Sequence, residues 1–173
     1  MKVEPGLLDN DMLNKRKKEG GIVTRYKEAR PEILSKDILL FECGFLLRDY
    51  KNPNRVGMYD GYYSFRMDVK DGKTYLCILN TMNRYLKCLD IRIEMTNELY
   101  QLLSLLVEKY NLKEMNGYTH YVSGILAGLG SYLSITYKTG EALYASSNQE
   151  NIFPLGFINE MLILIEKEES NGI

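Results

Sequence analysis

The period of hydrophobic positions changes along this chain, and the changes mark its elements. Residues 37–48, DILLFECGFLLR, are apolar on both faces over a short span, which suits a central strand with Gly44 as a candidate bulge. The following KNPNRVGMYDG is dense in turn formers and reads as a loop. In YYSFRMDVK, residues 62–70, Tyr63, Phe65, Met67 and Val69 alternate with Ser64, Arg66, Asp68 and Lys70, the period of a half-buried strand. Asp71-Gly72 supplies a tight turn, and Lys73–Asn80 returns as the next strand. Residues 85–95 alternate again, with Leu89, Ile91, Ile93 and Met95 opposite Asp90, Arg92 and Glu94, which completes a four-stranded meander.

The period then switches from two to about 3.6. Thr96 is placed to cap a helix that carries Leu99, Leu102, Leu103, Leu106 and Tyr110 on one side, with Leu105 and Val107 widening the apolar face. After Asn116-Gly117, the stretch YTHYVSGILAGLG leads back into extended structure, and residues 131–148 read as a hairpin. Pro154 starts a second helix whose stripe is Ile158, Met161, Leu162 and Ile165. The order expected is therefore ββββ-α-ββ-α. An α+β fold follows, with both helices packed on one face of an antiparallel sheet.

The two hairpins resemble each other at an offset of 68: Lys70, Gly72 and Asn80 meet Lys138, Gly140 and Asn148, and their inward faces agree. The likeness raises an internal hairpin-helix repeat. It also explains Lys138-Thr139-Gly140 as a turn, against a penicillin-recognising enzyme. No Ser in this chain has Lys three positions later, and the Ser-x-Asn letters follow Lys-Thr-Gly where such an enzyme needs them before it.

Length adds one constraint. At 173 residues the chain suits a single α+β domain, residues 31–173, preceded by residues 1–30 as a basic arm, flexible in part. Residues 1–95 carry 18 Lys and Arg against 14 Asp and Glu, and residues 96–173 carry 4 against 9, so the overall charge of −1 conceals a basic first half. A cytoplasmic location is expected, because the N-terminal segment has no apolar signal core and no apolar stretch reaches membrane-spanning length.

A resemblance is carried by Lys109-Tyr110-Asn111 at a helix end, Gly117-Tyr118, the hairpin of residues 131–148, and Phe153-Pro154. Over residues 36–168 these elements resemble a domain of bacterial hypothetical proteins, chiefly of low-GC Gram-positive type, whose function is unknown. The chain departs from that pattern with Tyr118 in place of Trp and Leu129-Gly130 in place of Asp-Gly. The resemblance implies a fold and a kind of organism, and it transfers no functional residue.

Candidate chemistry is sparse. Gly124, Gly128 and Gly130 lack the lysine and the following helix of a phosphate loop. His120 with Cys43, Cys77 or Cys88 is not positioned by spacing, and the cysteines lack paired C-x-x-C motifs. Asp68, Asp90 and Glu94 alternate with Arg66 and Arg92, which predicts cross-strand pairing rather than a metal or a general acid. No cofactor and no metal site is expected.

The sheet face away from the helices carries the leading expectation. It should display Tyr62, Ser64, Arg66, Arg92, Tyr132, Ser134 and Tyr144, a set suited to recognising a protein partner. A non-catalytic interaction module follows, of the inhibitor or immunity type, in a bacterium or mobile element. The alternative is a nucleic-acid-associated protein that uses Lys15, Arg16, Lys17, Lys18, Arg25, Lys27 and Arg30 against phosphates. A small-molecule enzyme with a site assembled across loops is the third reading.

Overall fold

The computed structural model describes residues 22–27, 29–46, 61–81, 89–123 and 130–171. Among them, strands β1 (Ile22–Lys27), β2 (Ile38–Leu46), β3 (Tyr62–Lys70), β4 (Lys73–Thr81) and β5 (Leu89–Glu94) precede helix α1 (Asn97–Lys109). A short 3₁₀ turn (Leu112–Met115) leads into β6 (Tyr118–Ser123), β7 (Ser131–Tyr137), β8 (Ala142–Ser147) and helix α2 (Leu155–Asn171). One sheet takes all eight described strands in the order β1-β6-β8-β7-β2-β3-β4-β5. The α+β class and the succession of meander, helix, hairpin and helix are as the periodicity predicts.

Two strands lie beyond that expectation. Residues 22–27 of the presumed arm form β1, paired antiparallel with β6, and β6 joins β8 in parallel. Neither announces itself by a long alternating pattern. At the edge, β1 needs only backbone groups facing β6, so a short segment of mixed polarity suffices, while β6, between β1 and β8, alternates over only six residues.

Local chemistry accounts for the rest. Thr96 Oγ1 accepts the Leu99 amide at 3.3 Å, an N-cap worth about 1 kcal/mol. Helix α1 buries Leu99, Leu103, Leu106 and Val107. Leu105, expected to widen that face, stays 65% exposed because the sheet contacts only the opposite side of the helix. Helix α2 buries Phe157, Ile158, Met161, Leu162 and Ile165 in the same cluster as Phe41, Phe65, Ile78, Leu133 and Ile135 of the strands. Full burial of each such side chain contributes about 1.5–3 kcal/mol. Both helices therefore lie on one face.

The two hairpins have different turns. Asp71 and Gly72 both take positive φ (53° and 76°), a two-residue type I′ turn. In the second hairpin the Gly140 amide donates to Tyr137 O, the Tyr137 amide donates to Glu141 O, and Gly140 has φ 88°, the three-residue loop with a glycine bulge. Lys138-Thr139-Gly140 is a turn.

Their hands differ as well. Strands β3 and β7 flank β2 and both run antiparallel to it, so they are parallel to each other. Strand β4 lies beyond β3, and β8 lies beyond β7 on the opposite side. Seen from the helices, one hairpin folds to the left and the other to the right. No rotation exchanges them while Phe65 and Leu133 both stay inward, so their likeness is one of sequence pattern and not of a rigidly repeated unit.

Candidate functional site: the open sheet face

Alternation in β3, β5, β7 and β8 turns Tyr62, Ser64, Arg66, Arg92, Tyr132, Ser134 and Tyr144 away from the helices, onto one face that no described helix covers. Cross-strand register sets their neighbours. Gly44 of β2 stands between Ser64 and Tyr132, and Glu42 between Arg66 and Ser134. Gly44 is not a bulge: the register shift of β2 falls between Ile38 and Leu40. Its role is space. A Cβ there would lie 2.4 Å from the Tyr62 hydroxyl and 2.5 Å from Tyr132 Cε1, so the two rings close over a position that only glycine leaves open.

Of the pair, Tyr132 is held by polar contacts. Tyr132 donates its hydroxyl to Glu42 Oε1 at 2.7 Å, and Ser64 Oγ lies 3.4 Å from the same hydroxyl. Burial, then the nearby Cys43 and Glu42, pushes Tyr62 up to about 12. Burial also pushes Tyr132 well above the usual phenol range, with the Glu42 carboxylate adding to it. Both phenols stay neutral at ordinary pH. Half-buried, with Tyr132 tied to Glu42, they form a floor more than a set of probes.

The exposed part of the face is different. Arg66, Arg92 and Tyr144 are exposed as expected, and Tyr121, Leu40 and Leu79 join them. Tyr121, 51% exposed, was legible in the alternation of Thr119, Tyr121 and Ser123 against Tyr118, His120 and Val122. The glycines that follow masked that short strand as a connection. The expected direct pairing of acids with arginines is replaced by rows, Arg66-Cys77-Arg92 and Asp68-Tyr75-Glu94, because register sets an uncharged β4 residue between each pair. Glu94 is held instead by Lys73 at 3.0 Å.

His120 has a partner that spacing did not reveal. Its Nδ1 lies 2.6 Å from Glu150 Oε1, which also accepts the Tyr118 hydroxyl at 2.7 Å. Ser147 Oγ approaches the same Nδ1 at 3.5 Å and accepts the Gln149 and Glu150 amides. Serine and carboxylate thus address one ring nitrogen, whereas a nucleophile relay needs them on opposite nitrogens. With His120 and Ser147 both buried, this cluster braces β6, β8 and the residues after β8. The thiol reading loses ground too, since burial followed by Glu42 raises the Cys43 thiol well above its usual range.

Lys15, Arg16, Lys17 and Lys18 lie outside the described residues. Arg25 sits within β1 opposite His120, and Lys27 Nζ donates to Glu114 O at 2.7 Å. Lys27, Arg30 and Lys113 border a cavity of about 440 Å³, but Glu32, Glu108 and Glu114 border it as well. Gly124 and Gly128 also lie outside the described residues, while a Cβ on Gly130 would meet Ser147 O at 2.7 Å, close backbone packing and no phosphate cradle.

Among the described residues, no group of three or more His, Cys, Asp or Glu stands close enough to hold a metal ion, and no helix is long and apolar enough to cross a membrane. Compared with family models, with curated proteins and with solved structures, the chain matches none.

Proposed function

We propose that this domain is a non-catalytic protein-interaction module that engages a protein partner through the open sheet face, a cytoplasmic bacterial factor of inhibitor or immunity type. One observation carries the reading: a broad sheet face that no described helix covers, with Tyr121, Tyr144, Arg66 and Arg92 exposed around the Tyr62–Tyr132 pair over Gly44. Tyrosine offers contact area at low rotamer cost, and arginine commonly anchors interfaces. A floor held by the Tyr132–Glu42 bond loses little entropy on binding.

The test is affinity capture of the full-length protein from native bacterial lysate, with and without nuclease, using wild type and the triple variant Tyr121→Ala, Tyr144→Ala, Arg66→Ala. Tyr132 is left intact because its hydroxyl serves the fold. The expected result is a saturable protein partner that survives nuclease and is depleted at least tenfold by the triple variant, at a Tm close to wild type. Unchanged capture by the variant would overturn the assignment, and loss of all captured material with nuclease would transfer the function to Lys15–Lys18 and Arg25.

A further inference from the structure

We propose that the free edge of β5 is a self-complementary docking strand, and that two copies of this chain join there, antiparallel, to continue the sheet across a twofold axis. The first step is which backbone groups the edge presents. Met95 N donates to Thr74 O at 2.9 Å, so Thr74 and Met95 are a hydrogen-bonded pair of the antiparallel ladder. By register, Ile93–Leu76, Ile91–Ile78 and Leu89–Asn80 are hydrogen-bonded pairs too. The residues between them, Asp90, Arg92 and Glu94, direct their N–H and C=O groups away from β4. Among the described residues no strand lies beyond β5 to take them.

The side chains of those same residues then choose the register. Outward groups must meet outward groups, so only every second register can form a ladder. Two such registers overlap over five residues of the strand. Centred on Arg92, the pairing sets Arg92 against Arg92 and Asp90 against Glu94, like charges directly opposite and repulsive. Centred on Ile91, it sets Asp90 of each copy against Arg92 of the other, two attractive pairs on the open face. A third register, Arg92 against Glu94, overlaps over only three residues and uses a carboxylate already bound by Lys73. The twofold at Ile91 is the one that satisfies backbone and charge together.

Packing favours the same arrangement. Ile91 and Ile93 point to the helix side but are only half-buried, at the rim of the core. With the axis at Ile91, the two Ile91 side chains meet on that side and extend the apolar layer across the joint. The joint uses the strand edge, and it stands or falls apart from the open-face reading.

Sedimentation velocity of the full-length chain over a wide concentration range tests the proposal. Wild type should reach twice the monomer mass as concentration rises, with hydrogen exchange slowing at the Asp90 and Arg92 amides over the same range. Arg92→Glu should raise the dissociation constant by about tenfold or more, since it turns two attractive contacts into repulsive ones. The double variant Asp90→Arg, Arg92→Glu restores the pairs in reverse and should restore the dimer. Circular dichroism confirms that each variant is folded. A wild type that stays monomeric, a dimer indifferent to Arg92→Glu, or a double variant that fails to recover would each overturn the assignment.

Discussion

At Gly44 the lack of one methyl group decides whether two tyrosine rings can meet. Gly44→Ala places a Cβ within 2.5 Å of the Tyr62 hydroxyl and the Tyr132 ring, which must move together with the Tyr132–Glu42 bond. The cost expected is about 1–3 kcal/mol, read as a Tm lowered by about 2–8 °C in thermal unfolding. Glu150 is a second such residue. Glu150→Ala removes the carboxylate that His120 Nδ1 and the Tyr118 hydroxyl share, at about 1–3 kcal/mol, whereas Glu150→Gln keeps one oxygen and should cost less in the same denaturation series. Tyr62 gives an alkaline signature. Its phenol is raised from 10 to about 12 in the fold, so the stability gained by keeping it neutral is complete below pH 10 and is lost as pH rises through 12. Tyr62→Phe should flatten that decline, and parallel stability curves for variant and wild type across this range would exclude the effect.

At the scale of elements, the second hairpin is held from outside as well as within. The Glu141 carboxylate accepts the Leu34 amide at 2.8 Å, the Ser35 amide at 3.2 Å and the Thr139 hydroxyl at 2.6 Å, tying the β7–β8 turn to the segment that enters β2. Those bonds, the Thr139 hydroxyl foremost, hold its carboxyl below the usual range. The stabilisation is thus present above the ordinary carboxylate range and lost as the solution is acidified, and Glu141→Gln should weaken the acid dependence of unfolding. Gly140→Ala should cost about 1 kcal/mol, because its φ of 88° strains any residue with a Cβ. Lys138→Ala should change the unfolding midpoint by no more than about 0.5 kcal/mol equivalent, as fits an exposed turn residue. Helix ends are joined in a similar way: Lys109 and Tyr110 at the end of α1 both bond Glu160 of α2, which ties the two helices together over the sheet.

For the whole molecule, β1 changes what a truncation means. Removing residues 1–30 deletes a strand and exposes the edge of β6, so a lower Tm is expected, while a cut before Ile22 preserves the β1–β6 ladder. Comparing the two truncations by thermal unfolding and by binding to a DNA duplex at several salt concentrations separates a basic arm from a structural strand. An equal Tm for both would deny β1 a stabilising role. The unlike hands of the two hairpins belong to this scale too, since only strand order defines them.

Period alone located strands β2–β5, β7 and β8 and both helices, with their inward sides. Side-chain period is a local property, two per repeat in a strand and 3.6 in a helix, so Phe65, Leu133, Leu103 and Ile158 could be assigned to the core one segment at a time. It also marked the open-face set, since the same alternation that sends Phe65 inward sends Ser64 and Arg66 outward. The tertiary structure alone decided strand order, the capture of residues 22–27 by β6, the closing of Tyr62 and Tyr132 over Gly44, and the meeting of His120 with Glu150. Backbone donors and acceptors are the same in every residue, so which strand lies beside which is set by the packing of distant segments and leaves no local pattern to read.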